Sequence, residues 1–156
     1  MAYDGGVVEK EDGTVELFGR EKDSKVDKNH RFSADLQTLS YDLEGAREAF
    51  YQDCTTPTVL WAFERLTPQR VDVMVSEPIV LDQFWEADLP RSYIRCTNDQ
   101  AFPRPVSARS IKRLGVEELT IESSHSPFLS RPRELAELLV RAVETKPIGP
   151  LIPTSL

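Results

Sequence analysis

The alternation of short strands and helices between residues 90 and 146 restricts the possible folds more than any other feature of the sequence. The stretch "RSYIRC" predicts a strand, and "RPVSARSIKRLG" predicts a helix that ends at Gly115. "VEELTIES" predicts a second strand, and "SRPRELAELLVRAVET" a second helix whose apolar residues recur at the spacing of one helical face. These residues are Leu135, Leu138, Leu139, Ala142 and Val143. Strand, helix, strand and helix in succession predict a parallel α/β unit.

Two polar loops follow the two predicted strands. The first, "TNDQAFP", carries Asp99, and the second, "SHSPF", carries His125. Because one right-handed helical crossover joins the strands, their C-terminal loops lie at the same edge of the sheet, where Asp99 and His125 can meet. A carboxylate that accepts a hydrogen bond from one imidazole nitrogen leaves the other nitrogen as a base. The alternative is structural: Asp99 caps the turn after it, and His125 and its neighbouring serines satisfy loop backbone groups.

The first third of the chain has a different pattern. "GVVEKEDGTVELFG" alternates apolar and polar residues around Asp12-Gly13, which predicts a β-hairpin. "REKDSKVDKNHR" is highly charged and almost without apolar residues, so we expect a surface loop there, with His30 solvated at its end.

Two helices are predicted after the charged segment. "DLEGAREAFYQDC" has an apolar face and Asp42 as its N-cap. "TTPTVLWAFERL" offers Thr56 as N-cap, with Pro57 at the first helical position. Their aromatic residues fit a packed core better than a ligand platform.

The two polar loops and their flanks resemble a known family. "LPRSYIRCTNDQAFP" and "LTIESSHSPFLSRPRELAELL" are similar to the C-terminal segment of α/β-hydrolases, in particular the esterase branch of plant methylesterases and hydroxynitrile lyases. "EAFYQDCTTPTVLWAFERLTPQ" resembles the cap-region helices of bacterial members, so the resemblance covers residues 42–144. It implies that Asp99 is the acid and His125 the base of a catalytic triad.

The resemblance implies an α/β fold: the C-terminal half of an α/β-hydrolase-like parallel sheet with helices and a helical cap-like segment, to which the sequence pattern adds an N-terminal hairpin. We expect one α/β domain over residues 1–156. Its parts are a hairpin and charged loop at 1–41, cap-like helices at 42–89, an α/β core with the acid and His loops at 90–146, and an extended tail at 147–156.

A nucleophile is missing from this pattern. The family's serine lies in a G-x-S-x-G turn, and none of the seven glycines pairs with another to bracket a serine. There is also no N-terminal His-Gly oxyanion loop, and the sequence begins about where the cap region of a relative begins. The residues that could substitute are Cys54, Cys96, Ser124 and Ser126, and a structural role is favoured for each.

Three functions remain open. The first is esterase-type hydrolysis of a small apolar ester, with the serine supplied outside this chain. The second is acid–base catalysis by the His/Asp pair alone, as in an isomerase, cyclase or lyase, and the third is a non-catalytic ligand-binding or assembly remnant. The candidate substrate-binding residues are Phe50, Trp61, Phe63, Trp85 and Phe128. Because a sheet of about two strands leaves unpaired edges, we expect a complementary N-terminal hydrolase half, a homo-oligomer, or an N-terminal hairpin refolded to cover the edge.

Composition excludes several other classes. The net charge of −7, from 19 basic and 26 acidic residues, argues against binding to nucleic acid or anionic membranes. No apolar run approaches the roughly 20 residues that span a bilayer, and the N-terminus lacks the pattern of a signal peptide. Two cysteines make no disulfide framework, so we expect a reducing cytoplasm. No metal or organic cofactor is indicated, because the sequence has no zinc-binding motif and no Gly-rich phosphate loop.

Overall fold

Two parallel strands and the helix between them form the part of the fold that positions the two polar loops. The structure is a computed structural model that describes residues 7–9, 15–17, 24–72 and 82–149. Its elements are Val7–Glu9 (β1), Val15–Leu17 (β2), Lys25–Asn29 (α1), His30–Phe32 (β3), Thr38–Tyr41 (β4), Leu43–Phe50 (α2), Thr56–Phe63 (α3), Gln69–Arg70 (β5), Asp82–Glu86 (α4), Tyr93–Cys96 (β6), Arg104–Leu114 (α5), Glu118–Ile121 (β7), Pro127–Ser130 (α6) and Pro132–Val143 (α7).

The predicted parallel α/β unit is confirmed. Strands β6 and β7 pair in parallel, with Tyr93 opposite Glu118 and Cys96 opposite Ile121. Helix α5 connects them and ends at Gly115, which has φ 64° in the left-handed region that a residue without Cβ adopts at little cost. Among the described residues each of the two strands has a single neighbour, so each keeps one open edge.

The segment predicted as cap-like helices, residues 42–89, contains α2, α3, the short strand β5 and α4. The predicted N-cap of α2 is confirmed, since Asp42 Oδ1 accepts a hydrogen bond from the Gly45 amide at 2.7 Å. The predicted N-cap of α3 is wrong by one residue: Thr55 is extended and its hydroxyl accepts from the Thr58 amide, whereas Thr56 is already helical. Pro57 therefore lies at the second helical position, where its missing N–H is one that the first turn leaves unpaired in any case.

The N-terminal hairpin is present as two antiparallel strands, with Val7 opposite Leu17 and Glu9 opposite Val15. Its predicted Asp12-Gly13 turn lies outside the described residues. A second antiparallel sheet has the order β3-β4-β5 and leads into α2.

The prediction of a charged surface loop is wrong for residues 24–31, which form α1 and enter β3. Val26 is only 8% exposed and packs with Ala49 and Ala101, and the Ser24 hydroxyl donates to the Ala101 carbonyl at 2.8 Å. The burial of Val26 and the hydrogen bond from Ser24 to a residue distant in sequence therefore favour a packed helix here, despite the high local charge. Helix α1 lies against α2 at Gly45, where an added Cβ would be 2.9 Å from the Asn29 Cβ.

The prediction that His30 is solvated is also wrong. His30 is half-buried in β3, and its Nδ1 lies 3.1 Å from the Val26 carbonyl oxygen. Its ring meets the edge of Phe32 at 5.0 Å between centroids. The neighbouring α1 supplies this environment, which the charged sequence did not predict.

Helix α7 is present as predicted, but most of its apolar stripe is not covered by the described residues. Leu138 is 7% exposed, whereas Val143 is 81% exposed. We refer to the outward residues Leu139, Val140 and Val143 as the open α7 face. No helix among the described residues is long and apolar enough to cross a membrane.

Candidate active site

The structure brings Asp99 and His125 together at the C-terminal edge of the parallel strands. The strand pairing continues into both loops, because the Thr97 amide donates to the Ile121 carbonyl and the Asn98 amide to the Ser123 carbonyl. The aligned loops place Asp99 Oδ2 2.9 Å from His125 Nδ1. The side chain of Asp99 is 11% exposed and that of His125 is 30% exposed, so the pair is shielded while the imidazole keeps access to solvent.

Asp99 uses its two oxygens for different purposes. Oδ1 accepts from the amides of Ala101 and Phe102 at 2.8 and 2.9 Å, which is the turn-capping arrangement. Oδ2 contacts His125, so the same carboxylate caps the turn and contacts the imidazole. Because an ionised carboxylate only accepts hydrogen bonds, this contact places a proton on Nδ1 of the imidazole. In the neutral ring Nε2 is then the acceptor nitrogen and can serve as a base.

Two phenylalanine rings fix the position of the imidazole. Phe50, at the end of α2, lies 5.6 Å from the His125 ring, and Phe102, in the acid loop, lies 5.2 Å from it in an edge-on arrangement. Phe102 was not among the sequence candidates. Its position three residues after Asp99 could have marked it as a candidate from the sequence alone.

An open pocket of about 310 Å³ adjoins the pair. Its volume is at the lower end of small-molecule sites. Its lining residues are Tyr93, Ile94, Arg95, Cys96, Asp99, Phe102, Ser107, His125, Pro127 and Phe128.

The structure brings only some of the candidate substrate-binding residues to this pocket. Phe128 lines it, and Phe50 contacts the imidazole. Trp61 is exposed beneath the Arg65 guanidinium, and Phe63 packs against the cluster of α2 and α3; neither is among the pocket residues. Trp85 lies in α4, and its side chain is outside what the structure describes.

The candidate replacement nucleophiles are poorly placed for attack. Ser124 is fully buried and donates to the Phe50 carbonyl, and Ser126 is buried as well. Burial, with the neighbouring Asp53 carboxylate, raises the pKa of the Cys54 thiol. Burial also raises the pKa of Cys96 although a hydrogen bond from Ser123 opposes it. Both thiols are therefore held in their protonated, unreactive form at neutral pH.

The turn between α2 and α3 holds both loops and was missed by the sequence reasoning. Gln52 Nε2 donates to the Asn98 carbonyl at 2.7 Å, and Asp53 Oδ2 accepts from the Ser124 amide at 2.8 Å. Partial burial acts to raise the pKa of Asp53, but hydrogen bonds to its carboxylate, including that from the Ser124 amide, outweigh it and hold that pKa below its ordinary value. No local pattern marks these residues, because their partners lie 46 and 71 residues further along the chain.

Comparison with known proteins bears on the fold. No protein-family profile matches the chain. Norfluorocurarine synthase 2 from Strychnos nux-vomica is 30% identical over 99 residues, which cover 60% of this chain and 36% of that protein. The structure of polyneuridine aldehyde esterase matches with a TM-score of 0.58 and 15% identity, over 90% of this chain and 48% of that one. The chain has part of an α/β-hydrolase fold.

A second solved structure supports the same assignment. The methylesterase MES16 from Arabidopsis matches with a TM-score of 0.56 and 23% identity, over 69% of this chain and 47% of that one. The resemblance to α/β-hydrolases that the motifs around Asp99 and His125 indicated is thereby confirmed. The alignments span about a third of the curated relative and about half of each solved structure, so the described elements are those of a partial α/β-hydrolase fold.

Proposed function

We propose that this chain supplies the acid and the base of an esterase-type hydrolase, and that the serine nucleophile comes from outside it. The observation that carries the proposal is the contact between His125 Nδ1 and Asp99 Oδ2 at the rim of a pocket. A serine hydroxyl beside the imidazole would give its proton to Nε2 while its oxygen attacks the ester carbonyl. The imidazolium, stabilised by Asp99, would return that proton to the departing alcohol, and water would then cleave the acyl-enzyme by the same route.

Several features favour a complementary hydrolase segment, outside residues 1–156, as the source of the serine. The solved relatives are about twice as long as the part that this chain matches. Among the described residues β6 has one neighbour, and the open α7 face has no cover. A second copy could cover these surfaces, but no copy of this sequence contains a G-x-S-x-G turn. A complementary N-terminal hydrolase segment with that turn would both supply the serine and cover the open strand edge and the open α7 face. We therefore prefer it to a homo-oligomer.

The pocket favours a small apolar ester as substrate. Phe102, Phe128 and Ile94 line it beside the imidazole, so an apolar acyl or alcohol group gains by leaving water there. Two of the similar solved structures bear the names of esterases, which agrees with ester chemistry.

A serine-directed fluorophosphonate probe tests this function. The full chain is co-expressed with N-terminal hydrolase segments that carry a G-x-S-x-G turn, and the complexes are treated with the probe. We expect covalent labelling of the partner's serine that is lost in His125→Ala and kept in His30→Gln, the matched control at the other histidine. Absence of labelling in every pairing contradicts the proposal.

A second candidate is acid–base catalysis by the pair without a covalent step. It is favoured by the poor presentation of Cys54, Cys96, Ser124 and Ser126. In that case the chain alone turns over a small carbonyl compound, and the turnover survives serine-directed inhibitors but disappears in Asp99→Asn.

A further inference from the structure

The end of α2 contacts both loops that carry the acid and the base. We refer to residues 50–53 as the α2 clamp. Gln52 donates to the Asn98 carbonyl, directly before the acid. Asp53 accepts from the Ser124 amide, directly before the base, and the Ser124 hydroxyl donates to the Phe50 carbonyl at 3.1 Å.

Asp53 is the charged member of this clamp. Its partner, the amide of Ser124, belongs to a residue with no exposed surface, and a buried amide without an acceptor is costly. The bond at 2.8 Å therefore fixes the peptide group between Ser123 and Ser124, one residue before His125. On the preceding residue, the Ser123 carbonyl accepts from the Asn98 amide at 3.1 Å, which ties the same loop to the acid loop.

We propose that Asp53 is a positioning residue that sets the orientation of the His125 imidazole by holding the Ser124 amide. The imidazole is then restrained from two layers: Asp99 holds its Nδ1 from the strand layer, and Asp53 holds the backbone of the preceding residue, Ser124, from the helical layer. The effect on loop geometry stands by itself, whereas the effect on catalysis rests on the proposed function.

The position of the imidazole can be measured in the isolated chain by NMR. The chain has two histidines, so the ring C–H region contains two sets of signals, and His30→Gln assigns them. The rings of Phe50 and Phe102, 5.6 and 5.2 Å away, shift the His125 signals by their ring currents. We expect Asp53→Ala to move the His125 signals towards those of a free histidine and to leave the His30 signals in place.

Two further substitutions separate geometry from charge. Asp53→Asn keeps an oxygen acceptor at the same position, so the His125 signals should stay close to those of the wild type. Asp53→Glu keeps the charge but displaces the carboxylate by one methylene, so the signals should move. If Asp53→Ala fails to fold, this pair decides the question. Glu64→Ala, which removes an exposed carboxylate from the same helical layer, is the control. Unmoved His125 signals in both the Ala and the Glu variants, with the chain folded, overturn the proposal.

The fluorophosphonate reaction supplies the catalytic readout. In a complex that labels, Asp53→Ala should slow labelling roughly 10- to 100-fold without weakening the initial binding of the probe, because a displaced base loses alignment rather than affinity. Asp53→Asn should restore most of the rate. Complete absence of labelling with wild-type chain removes the proposed function but leaves the NMR result valid, whereas labelling at an unchanged rate in Asp53→Ala refutes the positioning role alone.

Discussion

Gly45 in the interior of α2 should resist replacement by alanine, against the usual trend in helices. Glycine to alanine at an unconstrained helical position raises the free energy of unfolding by about 0.5–1 kcal/mol. Here the new Cβ would lie 2.9 Å from the Asn29 Cβ and 3.2 Å from the Asn29 carbonyl oxygen, both in α1. It would also lie 3.1 Å from Asp42 Oδ1, the atom that caps α2.

The balance of these effects gives the expected magnitude. Overpacking of this kind costs roughly 1–3 kcal/mol, and disturbance of the N-cap adds up to about 1 kcal/mol. After subtraction of the propensity gain, Gly45→Ala should lower the free energy of unfolding by about 2 kcal/mol, within a range of roughly 0–3.5 kcal/mol. Urea unfolding followed by tryptophan fluorescence measures the change, and a chain of this size should lose about 2–4 °C in Tm per kcal/mol.

A double substitution tests the cause of this loss. Asn29→Gly removes the nearest atom, so Gly45→Ala should be less destabilising in the Asn29→Gly background than in the wild type. An increase in stability in the single variant refutes the close approach of α1 to α2. Because residues 50–53 extend from the C-terminal end of α2, the Gly45→Ala chain should also show shifted His125 ring signals.

Four further changes probe the site, the strands, a helix cap and the open surface. Asp99→Asn should slow fluorophosphonate labelling about 10³- to 10⁴-fold, because it removes the acceptor that fixes the tautomer of the base. The Arg95 guanidinium on strand β6 lowers the pKa of Glu118 on strand β7. The stability that this ion pair contributes is therefore present above the ordinary pKa of 4.5 and is lost as pH falls through the lowered pKa. Urea titrations at several pH values should show that Glu118→Gln removes this part of the acid dependence. Thr55→Ala should cost about 1 kcal/mol in urea unfolding, whereas Thr56→Ala should be close to neutral. Val143→Lys should change the stability of the isolated chain by less than about 0.5 kcal/mol but abolish association with a partner, as size-exclusion chromatography with light scattering would show.

The elements that the sequence predicted well are those determined by local signals. Helix α5 ends at Gly115 because a residue without Cβ takes up the left-handed conformation there. The cap at Asp42 depends on an amide three residues away. The meeting of Asp99 and His125 followed from the parallel topology, since one crossover fixes the direction of both strands.

The features that the sequence did not predict depend on partners far along the chain. Helix α1 forms in a charged segment because Val26 is buried and the Ser24 hydroxyl reaches the Ala101 carbonyl, 77 residues away. Thr55 and Thr56 are both good caps, and only the hydrogen bond to Thr58 distinguishes them. The contact of Asp53 with the His loop has no local signature at all.

The two-sided restraint of His125 has a consequence for how a complementary segment would create activity. Asp99 and the Asp53-bound peptide orient the imidazole within this chain alone, so its alignment needs no contribution from a partner. A docking segment then has to deliver a hydroxyl and oxyanion donors to a base that is already in place, and the rate gain comes from proximity to a preorganised group. The ring-current shift that Phe50 imposes on the His125 ring signals should therefore change little when the complex forms. A large change on binding, of the size caused by Asp53→Ala, would instead mean that the partner rebuilds the base.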